Sequence, residues 1–426
     1  MKAFRLYRGA ILVVIGILYF FVCLHRLSPT VIARDLAVSL QADAFILGVI
    51  ASAYFYLYSG LQPVVGYLSD TVGPRKVMAS FFFVSAVGSV IFGLAPNAGA
   101  AVFGRVLIGA GLAGVFIPAL KVFSRWYRAN QFASLTGVMI TIGGIGGLAA
   151  AMPLTYMVVL LGWRGSFVAI GLLSAGLAAL AWIMVRDSPR DRGWMVMAAE
   201  DGAGAGGGEE IRPARRLAIV FGNRDFWLIC LTVFMTGGAG LSFQGLWAVP
   251  YLMDVFGADR VRAGWVLMAW PLGFAIGGPI SGFLTDRLNL NRKMTMLYGL
   301  GLGALLWLLL IFIQDRQYLA IMAPLFFVFG LIAGGMLPLS FTITRDLFPF
   351  WLMGTATGLM NTAAFLGGAV YQPLTGFLLR AAAAGVYDFE AYRILLIVFL
   401  FSSAAAFVAM SRFTGRQADP SVPKNG

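Results

Sequence analysis

Charge is scarce in this chain. Of 426 residues only 12% are charged and 60% are hydrophobic, and mean hydropathy is +0.86. A soluble domain carries about 25% charged residues, and an apolar excess of this size would leave large patches exposed to water. Disordered chains are polar and charged, so disorder is excluded as well. Cysteine is nearly absent. Cys23 and Cys230 both sit inside apolar runs, which leaves no disulfide framework and no metal-ligand spacing. Histidine occurs once, as His25. No G-x-x-x-x-G-K-[ST] loop is present, which argues against ATP as an energy source used by this chain alone. No nucleophile–base pair or metal constellation is visible, so neither an enzyme nor a cofactor is expected.

What the chain has is apolar runs. Stretches free of Asp, Glu, Lys and Arg cover 9–24, 44–69, 77–104, 106–120, 129–163, 165–185, 226–253, 263–285, 294–314, 317–344, 347–379 and 394–411. A spanning helix needs about 20 mostly apolar residues to cross a ~30 Å hydrocarbon core. Pro96-Asn97 is a turn signal inside 77–104, so span 4 begins there and contains Arg105. The expected fold class is an all-α integral membrane protein with twelve transmembrane helices in two six-helix bundles. The expected bundles are 1–185 and 226–426, joined by a linker over 186–225. The first run has basic flanks like a signal peptide, but Leu24-His25-Arg26-Leu27 follows without a small-residue cleavage site, so it reads as a retained helix.

The net charge of +13 is distributed by topology. The basic residues punctuate apolar runs instead of clustering, which argues against nucleic acid as a partner. With the N-terminus in the cytoplasm, 22 of the 31 Lys and Arg fall on the cytoplasmic side and 7 on the other. The positive-inside rule therefore places both termini in the cytoplasm, and a prokaryotic inner membrane is expected. The linker contains the flexible run Gly202–Gly208 and seven arginines, Arg186, Arg190, Arg192, Arg212, Arg215, Arg216 and Arg224. It is expected to touch anionic lipid.

The two halves resemble each other. Gly66-x-Leu68-x-Asp70 recurs as Gly282-x-Leu284-x-Asp286, Gly114-x-x-x-Pro118 as Gly334-x-x-x-Pro338, and Gly146-Gly147 as Gly367-Gly368. The order is kept and the offset drifts only from 216 to 221. A duplicated half implies two bundles facing each other across a central cavity.

The segment Gly66-Tyr67-Leu68-Ser69-Asp70-Thr71-Val72-Gly73-Pro74-Arg75-Lys76 reads G-x-L-x-D-x-x-G-x-[RK]-[RK] between spans 2 and 3. It resembles the signature of the major facilitator superfamily. The second half carries a degraded copy from Gly282 to Lys293, with Asn289 in place of Gly and Arg292-Lys293 one place later. A carboxylate at Asp70 can accept bonds from a helix N-terminus and pair with Arg75 or Lys76. The resemblance implies that Gly66, Asp70, Gly73, Arg75, Lys76, Asp286 and Arg292 form a gating motif that latches the two halves, with the start of span 11 near Gly354 as the facing N-terminus.

Polar groups inside a membrane are functional candidates by default. All 18 acidic residues fall in loops or at helix ends, whereas His25, Arg26 and Arg105 lie deep in spans 1 and 4. Buried positive charge suits an anionic ligand. This region is similar to the organic-anion and metabolite symporter branches of the superfamily, whose span 1 often reads Asp-Arg. The resemblance implies that Arg26 holds a substrate carboxylate and that His25 stands where the proton-coupling acid would be. Those relatives also carry Arg, three residues, then Gly-x-Gly-Glu on span 4. Here Arg105 is present, followed by Gly109-Ala110-Gly111-Leu112, so the Glu is missing. By elimination, His25 is the coupling group if a proton drives the carrier.

Tyr54, Tyr58, Gln244, Trp247, Asn361 and Gln372 are the expected remaining cavity residues. Tyr54, Tyr58 and Gln62 recur every four residues and share one helix face. The expectation is a monomeric secondary carrier of a small anionic or zwitterionic metabolite, a carboxylate or an amino acid. It would be taken up with a coupling proton or sodium ion by alternating access. Proton-coupled efflux of drugs or metabolites is a second reading. Drug antiporters of the superfamily carry Gly-Pro in a glycine-rich span 5, where this chain has Met152-Pro153. A membrane receptor or sensor that binds without turnover is a third.

Overall fold

In lipid a backbone must satisfy its own N–H and C=O groups, so apolar runs of this length fold as helices. The computed structural model describes residues 2–192, 213–287, 290–313, 315–349, 352–383 and 387–415, and among these there is no strand. The first half holds α1 (Lys2–Leu27), α2 (Pro29–Ser39), α3 (Ala44–Gly60), α4 (Gln62–Thr71), α5 (Pro74–Gly93), α6 (Ala98–Trp126) and α7 (Ala129–Met184). A short helix, α8 (Pro213–Gly222), lies inside the expected linker 186–225, and α9 (Arg224–Ser242), a π-turn at Phe243–Trp247, and α10 (Ala248–Phe256) follow it. The second half continues with α11 (Arg260–Gly282), α12 (Arg292–Phe312), α13 (Leu319–Leu347), α14 (Met353–Ala382) and α15 (Phe389–Ser411).

Local chemistry sets the breaks. Pro29 has no N–H to continue α1 and starts α2 instead. Asp43 caps α3, its carboxylate accepting from the Ile46 N–H at 2.8 Å, and Asn97 caps α6 in the same way. Pro63 lies just past the 43° bend between α3 and α4. Gly162, at φ 69° and ψ 166°, breaks α7. The 50 apolar residues Leu135–Met184 would run about 75 Å at 1.5 Å each, more than twice a ~30 Å core, so they are long enough to cross twice about this glycine.

By length and composition, nine described helices can cross a membrane, or ten with the bent pair α3–α4 as one span. Two features separate that number from the twelve spans expected: the double crossing of α7, and α14. The latter has 30 residues but carries Thr355, Thr357, Asn361, Thr362, Gln372 and Thr375. A helix this polar is tolerated in lipid when its polar groups face other helices.

Both termini lie at one end of the bundle. Trp126, at the end of α6, stacks on Phe4 near the start of α1. Phe226, Leu347, Phe348 and Phe413 share one small cluster at that same end of the second half. The large core runs through the first half and into the opposite, far end of the second half, where it includes Trp247, Tyr251, Phe256 and Tyr392. The halves therefore share a core at the far end and have separate cores at the termini end.

Between the halves, α3 crosses α14 and α7 crosses α11. Gly48 lies on the Gln372–Pro373 backbone, and Gly376 on the backbone of Ala44 and Phe45. Only a residue without a side chain permits that approach.

Candidate functional site

Arg26 sits one turn before the Pro29 break, on the face of α1 that also carries Tyr19 and Cys23 at i−7 and i−3. Its guanidinium carbon rests in a corner of two rings, 5.5 Å from the Tyr58 centroid and 4.7 Å from the Phe365 centroid. The rings themselves are 5.1 Å apart and edge to face. Tyr58 belongs to the first half and Phe365 to the second, so the two bundles meet on this one cation. Its Nε and Nη2 are buried and have no partner at hydrogen-bonding geometry among the described residues, although the Tyr54 and Tyr58 hydroxyls lie close enough to interact with the guanidinium.

Arg105 is placed differently, although the sequence offers the two arginines as equivalents. It is fully buried, and Nη1 donates to the His25 carbonyl at 3.0 Å and Nη2 to the Ala51 carbonyl at 3.5 Å. Its carbon lies 5.2 Å over the Tyr54 ring. It ties α6 to α1 and α3, and only Nε is left without a partner. Tyr54 stacks on Tyr58 with centroids 5.4 Å apart, so two phenol rings stand between the two cations.

None of the ion pairs among the described residues includes Arg26 or Arg105. An unpaired charge in a membrane interior costs several kcal/mol, which an arriving counter-charge offsets.

His25 follows a different course. Successive side chains on a helix diverge by about 100°. Its fully buried ring packs on Phe167 of the first-half core, with centroids 5.9 Å apart. Neither ring nitrogen has a partner. The sequence expectation had an anion arriving between His25 and Arg26. In the structure the two side chains have different neighbours, Phe167 for His25 and the Tyr58 and Phe365 rings for Arg26.

In the second half, Gln372 is fully buried and donates from Nε2 to the Leu241 carbonyl at 3.2 Å, while Oε1 has no partner. The side chain of Gln372 passes over Gly245, which in turn approaches the Arg26 carbonyl. Trp247 is buried with its Nε1–H on Thr375 Oγ1 at 2.9 Å, where Ser242 also bonds. That network ties the π-turn to α14. Gln244 is half-buried in the π-turn. Asn361 is half-buried on α14, one turn from Phe365 and on its face.

The far end is closed by bonds between the halves. Arg260 donates to Asp35 at 2.8 Å, Arg380 to Asp43 at 3.1 Å, and Arg34 pairs with Asp254. Tyr392 donates to the other oxygen of Asp254 at 2.7 Å, and Tyr387 accepts from the Ala44 N–H at 3.2 Å. Arg380 and the Ile46 N–H hold the Asp43 carboxyl below the ordinary range, against the opposing effect of partial burial.

At the termini end, every ion pair among the described residues stays inside one half. Asp70 pairs with Lys121 of α6, not with Arg75 or Lys76 as the motif's spacing suggests. The Arg75 backbone N–H donates to Asp187 at 2.7 Å and its Nε to the Trp182 carbonyl at 2.8 Å. Gly73 makes the α4–α5 turn at φ 102°. Lys76 begins α5 beside it. Arg292 pairs with Asp346, and the side chain of Asp286 lies outside the described residues. A Cβ on Gly66 or on Gly354 would meet nothing within 4 Å. In this conformation, then, the start of α14 stands clear of the Gly66 surface.

Sequence reasoning missed Phe365, Tyr19, Cys23, Thr375 and Lys121. The helical spacing of Tyr19 and Cys23 with Arg26 was a usable signal. Phe365 had none, since it is one of 35 phenylalanines.

The comparisons with known proteins agree with this architecture. The family model of the Major Facilitator Superfamily matches residues 11–372 and 238–426. A probable sulfoacetate transporter of Cupriavidus necator is 27% identical over 396 residues, 89% of each chain. The hexuronate transporter of Escherichia coli is 26% identical over 371 residues, 82% of each chain. A bacterial homolog of the human lysosomal transporter Spinster, solved in an inward-facing and unoccupied conformation, superposes with a TM-score of 0.77. It covers 96% of this chain and 98% of that one at 16% identity, which is a likeness of fold. With its duplicated helical halves, its signature segment and a family match along nearly the whole chain, this multi-pass membrane protein belongs to the major facilitator superfamily of transporters.

Proposed function

We infer that this chain carries a small organic anion, of the carboxylate or sulfonate class, by alternating access. The observation that carries the reading is Arg26, a cation at the meeting of the two halves with two unpartnered N–H groups on one edge. A planar guanidinium edge presents two parallel donors, the geometry that carboxylates and sulfonates accept.

An anion suits the site better than a zwitterion. An ammonium group needs a carboxylate or a free aromatic face. No carboxylate pairs with Arg26 among the described residues, and the Tyr58–Phe365 corner is already filled by Arg26. The similarity to a probable sulfoacetate transporter and to a hexuronate transporter points to the same chemistry.

The positive-inside rule puts the termini end in the cytoplasm. On that orientation the far-end ion pairs close the outer side, and the conformation faces inward. Uptake against a gradient requires a coupling ion, a proton or sodium. Beside His25, the carboxylates that stand between the halves and could receive it are Asp35 and Asp254 of the far-end gate, since Asp43 is held ionised by its Ile46 and Arg380 partners. Efflux and ligand sensing without turnover remain the competing outcomes.

Purified protein in proteoliposomes tests the reading. Sulfoacetate or a hexuronate outside should drive counterflow of the same labelled anion, and a neutral sugar should not. Binding without counterflow would make the chain a sensor. Counterflow of cationic drugs but not of anions would make it an efflux pump.

A further inference from the structure

Arg26 and Phe365 belong to different halves, and in their contact a charged group from the membrane interior of one bundle rests on an aromatic face of the other; Arg380 rests on Phe45 in the same way at the far end, where Asp43 already pairs with it. We propose that Phe365 is a positioning residue that reads whether Arg26 is occupied. It holds the bare guanidinium across the two halves when the site is empty and releases it when an anion pairs with Arg26. The proposal rests on the anion-carrier reading above.

The argument follows from electrostatics. A ring attracts a cation through its quadrupole, and the attraction is strongest when the cation is desolvated and unpaired. Both conditions hold here, with Nε and Nη2 buried and no carboxylate paired with Arg26 among the described residues. An anion on the Nε–Nη2 edge cancels most of the charge that the ring attracts, so the contact weakens on loading. Tyr58 makes a similar contact but belongs to the same half as Arg26, so it moves with the guanidinium and cannot report on the separation of the halves.

Phe365 also touches the first half directly. Its ring lies 6.3 Å from that of Phe55 and 5.1 Å from that of Tyr58. Reorientation slides α14 along α3, so these contacts must break together. The empty carrier therefore stays in the conformation described here longer than the loaded one does. Exchange of anion for anion is then faster than net movement, because the return of the empty carrier must first pull Arg26 from the ring.

Two measurements test this, with Phe365→Leu to remove the ring and Phe365→Trp to keep an aromatic face. Spin labels at the termini ends of α4 and α14 report the separation of the halves without any substrate. Removing the ring should lower the ratio of the open to the closed termini end roughly three- to tenfold, the size of a partly desolvated cation–π contact, and Phe365→Trp should preserve it. Sulfoacetate or a hexuronate added to the wild type should shift the ratio the same way and should not shift it in Phe365→Leu. In proteoliposomes, the ratio of exchange to net flux should fall in Phe365→Leu and persist in Phe365→Trp, with half-saturation changed less than maximal rate. An unchanged substrate-free ratio in Phe365→Leu, or an equal loss in Phe365→Trp, overturns the role of Phe365. Failure of the anion reading looks different: neither anion alters the wild type, while the substrate-free effect of Phe365→Leu stands.

Discussion

Gly48 of α3 lies directly on Gln372 of α14. A methyl group built there would overlap the Gln372 carbonyl oxygen and stand 2.8 Å from the Pro373 Cα. Backbone cannot move aside as a flexible side chain can, so Gly48→Ala should force the halves apart at the far end. The strain is about 1–3 kcal/mol, the usual range for overpacking. Accessibility of single cysteines placed at the far end should rise, and transport should fall at least several-fold. Gly60→Ala, where a Cβ meets nothing within 4 Å, is the control and should behave as wild type.

Arg26→Lys should raise the half-saturation for a carboxylate or sulfonate substrate by about tenfold or more. The charge stays, but the two parallel donors become one rotating ammonium. Maximal rate should fall less than affinity. Equal half-saturation in uptake assays would reduce Arg26 to an interface anchor.

Asp70→Asn should leave folding and substrate binding almost unchanged. The Asp70 side chain is 68% exposed, so its pair with Lys121 contributes at most about 1 kcal/mol. Transport should drop all the same, because closing the termini end brings the start of α14 toward the Gly66–Lys76 surface. A normal rate with normal conformational populations would remove this segment from the gate.

The Asp43–Arg380 pair gives a pH expectation with a definite sign. A carboxyl whose pKa is depressed in the closed state favours that state while ionised, and loses the effect as pH falls through the depressed value. The Ile46 cap belongs to α3 and persists when the halves part, so only the Arg380 share of the depression favours closure, and it should be flat from neutral pH down to about the ordinary ~3.9. Arg380→Gln should remove that share. Spin-label distances across the far end as a function of pH check both statements.

His25→Gln separates two roles. A coupling histidine predicts exchange without pH-driven accumulation. The enclosed ring on Phe167 predicts the reverse: accumulation is kept and stability falls by about 0.5–3 kcal/mol, as for other changes to a packed core. Accumulation assays and thermal unfolding of the same preparation decide between them.

Much of this protein was legible in one dimension. Membrane residence, two similar halves and the Gly66–Lys76 segment follow from composition, local charge and spacing, which do not depend on how helices cross. Arg26 stood out for the same reason, as a rare charge within an apolar run. The Gly162 break of α7 falls within two residues of Arg164, the charge that separated spans 5 and 6.

What tertiary structure decided are the partners. Arg26 and Arg105 look alike in sequence, but one rests on a ring of the other half and the other is tied to carbonyls of α1 and α3. The partner of Asp70 proved to be Lys121, on α6, and three ion pairs between segments remote in sequence closed the far end. Each of these depends on where a helix face points after two bundles have packed. That is set by the sum of many glycine and aromatic contacts between remote segments, and no local pattern of residues records it.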